Sequence, residues 1–178
     1  MAGISTSENK REVMTWFDDL PINRVLDVGA GQGIWSILLR QPEQWWTALE
    51  VFYPYAKMFD LREKYNEIFI ADARYVDFMK IGQWWDLSIL ADVLEHMHKD
   101  QAKDVVTELL PRSHYLLISV PVEHNHQHAG TEGNDFETHI DHWTDTEMGK
   151  FLDEFNTTHK VINHIVGDIS AYYLVETL

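Results

Sequence analysis

Asp27-Val28-Gly29-Ala30-Gly31-Gln32-Gly33 places a carboxylate two residues ahead of three alternating glycines, directly behind the apolar run Val25-Leu26. Glycine removes the Cβ atoms that would hold a ligand away from the backbone, and a helix starting there aims free N–H groups at the same place. The stretch suits close approach of a ligand, although taken alone it also fits a plain turn. Its D-x-G-x-G-x-G spacing departs from the G-x-G-x-x-G of a dinucleotide-binding turn. Glu50 ends the next apolar segment, Thr47-Ala48-Leu49, where a carboxylate can accept hydrogen bonds from a vicinal diol such as the hydroxyls of a ribose. A solvated strand-end acid is the alternative. Asp72 follows Ile70-Ala71 in the same way, and can accept from an exocyclic amine such as that of adenine or cap a helix. Glu95 and His96 follow the run Leu87–Ala91, and a neutral imidazole is suited to taking a proton from a hydroxyl or amine. The same Val93-Leu94-Glu95-His96-Met97 wording also serves as packing at a helix start.

These groups need a scaffold, and strand-like and helix-like segments alternate along the chain to provide one. Ser5 and Glu8 form a candidate capping box for a lead helix bearing Val13, Trp16, Phe17 and Leu20. Residues 24–28, 46–50, 68–71, 86–91 and 115–120 read as strands, separated by helices over 34–40, 54–64 and 100–110, and Pro111 and Pro121 mark stops. Strands alternating with helices imply a parallel sheet. Thr144 and Glu147 offer a second capping box for a helix to about Phe155, and the last two runs, 160–166 and 171–176, have no helix between them, so they should pair as an antiparallel hairpin.

Composition narrows the classes of partner. A chain of 178 residues with 45% hydrophobic content can bury one sizeable core, so a single domain over 1–178 is expected, with 1–20 as lead helix. Fourteen Lys and Arg against 29 Asp and Glu give a formal charge of −15, the opposite of a nucleic-acid-binding footprint. Cysteine is absent, which removes disulfide and thiolate chemistry. No apolar leader opens the chain and no run approaches the ~18 apolar residues of a membrane span, so a soluble, cytoplasmic protein with no membrane partner is expected.

Taken together, D-x-G-x-G-x-G at Asp27–Gly33, Glu50 at the end of the second strand, Asp72 at the end of the third and DLSILADVLEHM over 86–97 resemble the class I S-adenosylmethionine-dependent methyltransferases, over about residues 22–177. The resemblance implies an α/β fold: a doubly wound, Rossmann-like, seven-stranded and mostly parallel sheet with an antiparallel C-terminal strand and helices on both faces. It implies S-adenosylmethionine as cofactor. Asp27, Gly29, Ala30, Gly31 and Gly33 would hold the methionine moiety, Glu50 with Val51 the ribose, Phe52 the flank of the ring, Asp72 and Ala73 the adenine, and Ala91 and Asp92 the far side. Glu95 and His96 are the candidate catalytic groups, although methyl transfer depends on alignment above all, and a base is needed only where the acceptor must lose a proton.

No DPPY-type motif follows the fourth strand, and with the acidic charge this disfavours nucleic acid. The expected acceptor is a small molecule, less readily a protein side chain. Residues 121–143 hold His124, His126, His128, His139 and His142 and form the expected substrate loop, read as a lid without a metal because the loop supplies no fixed scaffold for a three-ligand site. With little chain left to cover a substrate, a second copy could complete the site, and Trp45, Trp46, Trp84 and Trp85 could serve such a homodimer, although core packing accounts for most tryptophans. Two rivals stay open: a non-catalytic S-adenosylmethionine-binding module, and an NAD-dependent oxidoreductase, which would want the wider glycine spacing.

Overall fold

The computed structural model describes residues 7–122 and 134–178. Ser5, His124, His126 and His128, named above, lie outside them. Among the described residues, seven strands form one sheet: β1 (Arg24–Val28), β2 (Trp45–Glu50), β3 (Glu67–Ile70), β4 (Trp85–Ala91), β5 (Ser113–Pro121), β6 (His159–Val166) and β7 (Ser170–Thr177), in the order β3-β2-β1-β4-β5-β7-β6. The first five run parallel, and β7 lies antiparallel between β5 and β6. The expected doubly wound sheet with its antiparallel final strand is the observed one.

Near-continuous apolar strands signal burial on both faces, and alternate residues supply the two cores. Leu26, Val28, Leu90, Leu116 and Ile118 pack on one face with Trp143, Met148 and Phe151. Val25, Leu87, Ile89, Tyr115 and Leu117 pack on the other with Val13, Trp35 and Trp46. The tryptophan pairs split in the same way: Trp46 and Trp85 are buried, while Trp45 and Trp84 are exposed at the strand starts.

Helices α1 (Lys10–Thr15), α2 (Ile34–Leu39), α3 (Tyr53–Met58), α4 (Leu61–Lys64), α5 (Phe78–Ile81), α6 (Lys99–Leu109) and α7 (Asp145–Asp153) cover the sheet. The predicted helix over 54–64 is two helices, because Asp60 takes a left-handed conformation with φ 49° and interrupts the ladder. The four-residue α5, capped by the Asp77 carboxylate on the Met79 N–H, is too short to show a period in sequence. The Thr144–Glu147 capping box forms as expected. Glu8 does otherwise: α1 starts from Asn9 in a left-handed conformation, and the Glu8 carboxylate accepts the N–H groups of Asp168, Ile169 and Ser170 in the β6–β7 turn. That carboxylate therefore fastens the lead helix to the sheet instead of capping it.

Candidate cofactor pocket and acceptor end

Strand order reverses between β1 and β4, and in doubly wound sheets the crevice beyond the carboxyl ends at such a point is where ligands bind. A cavity of about 320 Å³ occupies this crevice. Val28 pairs with Leu49 of β2, so the glycine loop leaves β1 beside Glu50, and Ala91 pairs with Ser119 of β5, so Asp92 leaves β4 beside that serine.

The three glycines serve different ends. All have positive φ, which L side chains rarely adopt. A Cβ at Gly29 would sit 2.6 Å from Val93 Cγ2, and one at Gly33 would sit 2.7 Å from Lys64 Cδ, so both are excluded by packing. A Cβ at Gly31 would meet only the Gly29 carbonyl at 3.8 Å and would otherwise stand in open space on the cavity wall. Gly31 is the glycine whose bare backbone faces open cavity. The loop is held from outside by Lys64, whose ammonium donates to the carbonyls of Gln32 and Phe59.

Glu50 is 4% exposed and lines the cavity. Its Oε2 accepts the Gly31 N–H and its Oε1 the Phe52 N–H, both at 2.8 Å. Burial raises its carboxyl above the ordinary range, against these two backbone donors. The bond from Phe52 turns the chain into α3 and packs the Phe52 ring edge-on against Tyr55, with centroids 4.9 Å apart. Phe52 is therefore not part of the wall, and Val51 takes its place there.

Asp27 also stands outside the wall. It is buried behind the glycine loop, where its Oδ2 accepts from the Tyr65 hydroxyl at 2.5 Å. Burial pushes its carboxyl up to about 7, the Tyr65 bond lowers it, and the Glu50 charge adds to the rise. Asp27 thus supports the loop from below, a role the D-x-G-x-G-x-G spacing alone does not separate from ligand contact.

Asp72 and Ala73 line the cavity beyond β3, but the Asp72 carboxylate is not free to await a ligand. Both its oxygens accept from the Arg74 guanidinium, and Oδ1 also accepts the Arg74 N–H. Burial raises the Asp72 carboxyl and the Arg74 bonds and charge outweigh it, so it is held below the ordinary range. It caps no helix, and Arg74, which joins the wall, is a residue the sequence reading missed.

Asp92 has φ 56°, uncommon for a non-glycine residue, and holds it through Ser119, whose Oγ donates to Asp92 Oδ1 at 2.8 Å and accepts the Asp92 N–H at 3.1 Å. Beyond it a 3-10 turn, Leu94–His96, buries Leu94 and, just after the turn, Met97, and sets Glu95 and His96 on the cavity wall. Glu95 is 2% exposed, and its Oε2 has no hydrogen-bond partner among the described residues. Burial pushes this carboxyl well above its ordinary range, and the Asp92 and Glu137 charges push the same way. His96 Nδ1 lies 3.2 Å from the Thr138 carbonyl, which can only accept, so Nδ1 carries the proton and Nε2 keeps its lone pair. Burial lowers the His96 imidazole, against the Thr138 bond and the neighbouring acidic charges.

Of the two described loop histidines, His139 joins the wall with its ring 5.1 Å from that of His96, whereas His142 does not line the cavity. Asn134 and Glu137 complete this end, and Asn134 was not singled out by sequence, since an isolated polar residue in a loop carries no spacing signal. Lys10 of the lead helix, 6% exposed, sits over the ring of Trp35, a residue of the cavity wall, at 5.6 Å from its centroid. No described helix is long and apolar enough to cross a membrane.

Residues 5–159 match the model of a family described as a methyltransferase domain. No curated protein matches the sequence. Among solved structures, the chain is similar to magnesium protoporphyrin IX methyltransferase from Synechocystis PCC 6803 with bound S-adenosylhomocysteine, at 16% identity and TM-score 0.70 over 94% of this chain and 81% of that one. It is similar to the N-terminal domain of EvdMO1 with S-adenosylhomocysteine bound, at 16% identity and TM-score 0.68 over 97% and 82%. A third, the small RNA methyltransferase HEN1, shares 14% identity at TM-score 0.71 over 94% of this chain and 24% of that one. With a family match over most of its length and this strand order, the chain belongs to the methyltransferase-domain family, the class I S-adenosylmethionine-dependent methyltransferases.

Proposed function

We propose that the chain binds S-adenosylmethionine along the crevice and methylates a small, polar acceptor presented at the Glu95, His96 and His139 end. The observation that carries this reading is the pairing of Gly31, a bare backbone position on the wall, with the buried Glu50 carboxylate that accepts its N–H. The remaining lone pairs of Glu50 suit a ribose diol, and the adenine lies toward Asp72, Ala73 and Arg74. Bound there, the sulfonium supplies an activated methyl group for displacement. The chain's own task is alignment and electrostatics. Glu50, Asp92 and Glu137 give the cavity an acidic lining that favours a cationic donor. His96, neutral and oriented by Thr138, turns its Nε2 lone pair to the acceptor end, where it can take an acceptor proton. The net charge of −15 supports a small acceptor over a polyanion.

Calorimetric titration with S-adenosylmethionine, S-adenosylhomocysteine and NAD tests the donor: the two sulfur compounds bind, and tighter binding of NAD would overturn the assignment. A screen with methyl-labelled donor against small hydroxy and amino compounds, peptides and short RNAs tests the acceptor. Transfer confined to peptides or RNA would overturn the small-molecule reading, and donor binding without any transfer would favour a regulatory module.

A further inference from the structure

The acceptor end holds one more arrangement. Glu95, His96 and His139 each offer a ligand atom, and these atoms all lie within 4.8 Å of one another. The Glu95 Oε1 is 4.0 Å from the His96 Nε2, the lone-pair nitrogen. The other Glu95 oxygen is buried with no hydrogen-bond partner among the described residues, an arrangement that is costly unless something else neutralises it.

We propose that Glu95, His96 and His139 form a three-ligand site for a divalent first-row transition ion at the acceptor end of the pocket. One carboxylate with two imidazoles is a nitrogen and oxygen donor set suited to zinc, manganese or iron, whereas magnesium and calcium favour oxygen alone. Metal–ligand bonds of roughly 2.0–2.2 Å put neighbouring donors roughly 3–4 Å apart, so small rotamer changes close the set. The scaffold is already built. The Glu95 carbonyl accepts the N–H groups of Ile140 at 2.7 Å and Asp141 at 3.2 Å, which fixes the His139 segment against the turn bearing Glu95 and His96. The Thr138 carbonyl holds the His96 Nδ1 proton and leaves Nε2 as ligand, the kind of outer support that ligating histidines have. The expectation of no metal rests on the lack of a scaffold in 121–143, and the Glu95 carbonyl supplies one for His139.

Three protein ligands leave coordination positions open toward the cavity, where an acceptor hydroxyl would bind and release its proton to solvent water more readily. This acceptor role rests on the methyltransferase reading and reassigns His96 from base to ligand, whereas the metal site itself does not depend on turnover.

The test is a titration of chelator-treated protein with manganese and zinc, followed by calorimetry and, for manganese, by loss of the free-ion electron paramagnetic resonance signal. Wild type is expected to bind one ion per chain, and Glu95→Gln and His139→Ala each to weaken binding at least tenfold. Circular dichroism and urea unfolding report whether each variant is folded, and His139→Ala carries the test should the buried Glu95→Gln fail to fold. No binding by wild type, or binding unchanged in a folded His139→Ala, would overturn the site. Failure of wild type to bind S-adenosylhomocysteine would instead overturn the donor reading, with the metal titration still deciding the site.

Discussion

The Gly31 N–H donates to Glu50 Oε2 at 2.8 Å, tying the loop after β1 to the end of the neighbouring β2 on the wall of the crevice. One carboxylate thus shapes the glycine loop and faces the cavity. Glu50→Ala is expected to weaken S-adenosylmethionine binding by about 2–3 kcal/mol, because a charge-assisted partner is lost and the diol is left unpaired. Calorimetry on a variant with native circular dichroism checks it. Unchanged affinity would remove Glu50 from the ribose role.

Gly29 and Gly31 should respond differently to alanine. Gly29→Ala drives a Cβ into Val93 and is expected to cost about 2–3 kcal/mol of stability, seen in urea unfolding. Gly31→Ala meets open space, so its stability cost is limited to about 1 kcal/mol of backbone strain while donor affinity falls more than tenfold. Equal stability losses in the two variants would contradict the division.

Asp27 makes stability depend on pH. Its carboxyl is raised from 3.8 to about 7 in the folded state, so the folded protein holds the proton more tightly than the unfolded chain. The stability this contributes is complete below about 4 and is lost as pH rises through about 7, by up to about 4 kcal/mol. Asp27→Asn keeps an acceptor for Tyr65 and is expected to flatten this slope, leaving the variant more stable than wild type at pH 8 in urea unfolding. A parallel pH profile in the two proteins would show that Asp27 does not drive it.

Arg74 engages both Asp72 oxygens and joins the cavity wall. Arg74→Ala should lower stability by under about 1 kcal/mol, since the pair is partly exposed. Donor affinity should fall about three- to tenfold because Asp72 loses its fixed orientation. An unaltered donor affinity would place the pair outside the adenine site.

The sheet was legible in the sequence because each parallel strand is an apolar run bounded by turn residues, and that pattern survives any tertiary arrangement. The positions of Glu50, Asp72 and Asp92 at the carboxyl ends followed from the same alternation, and the glycine spacing marked the loop. Sequence could not tell which glycine faces the cavity: only the approach of Val93 and Lys64 separates Gly29 and Gly33, which are packed, from Gly31, which is open. Nor could it show that Asp27 is held by Tyr65 or Asp72 by Arg74, because those partners are chosen by side-chain geometry. The meeting of Glu95 and His96 with His139 depends on two backbone hydrogen bonds to the Glu95 carbonyl, and backbone groups carry no residue identity for a sequence to display. Local patterning therefore determined the elements and their order, while contacts between segments far apart in the chain decided which side chains face the cavity.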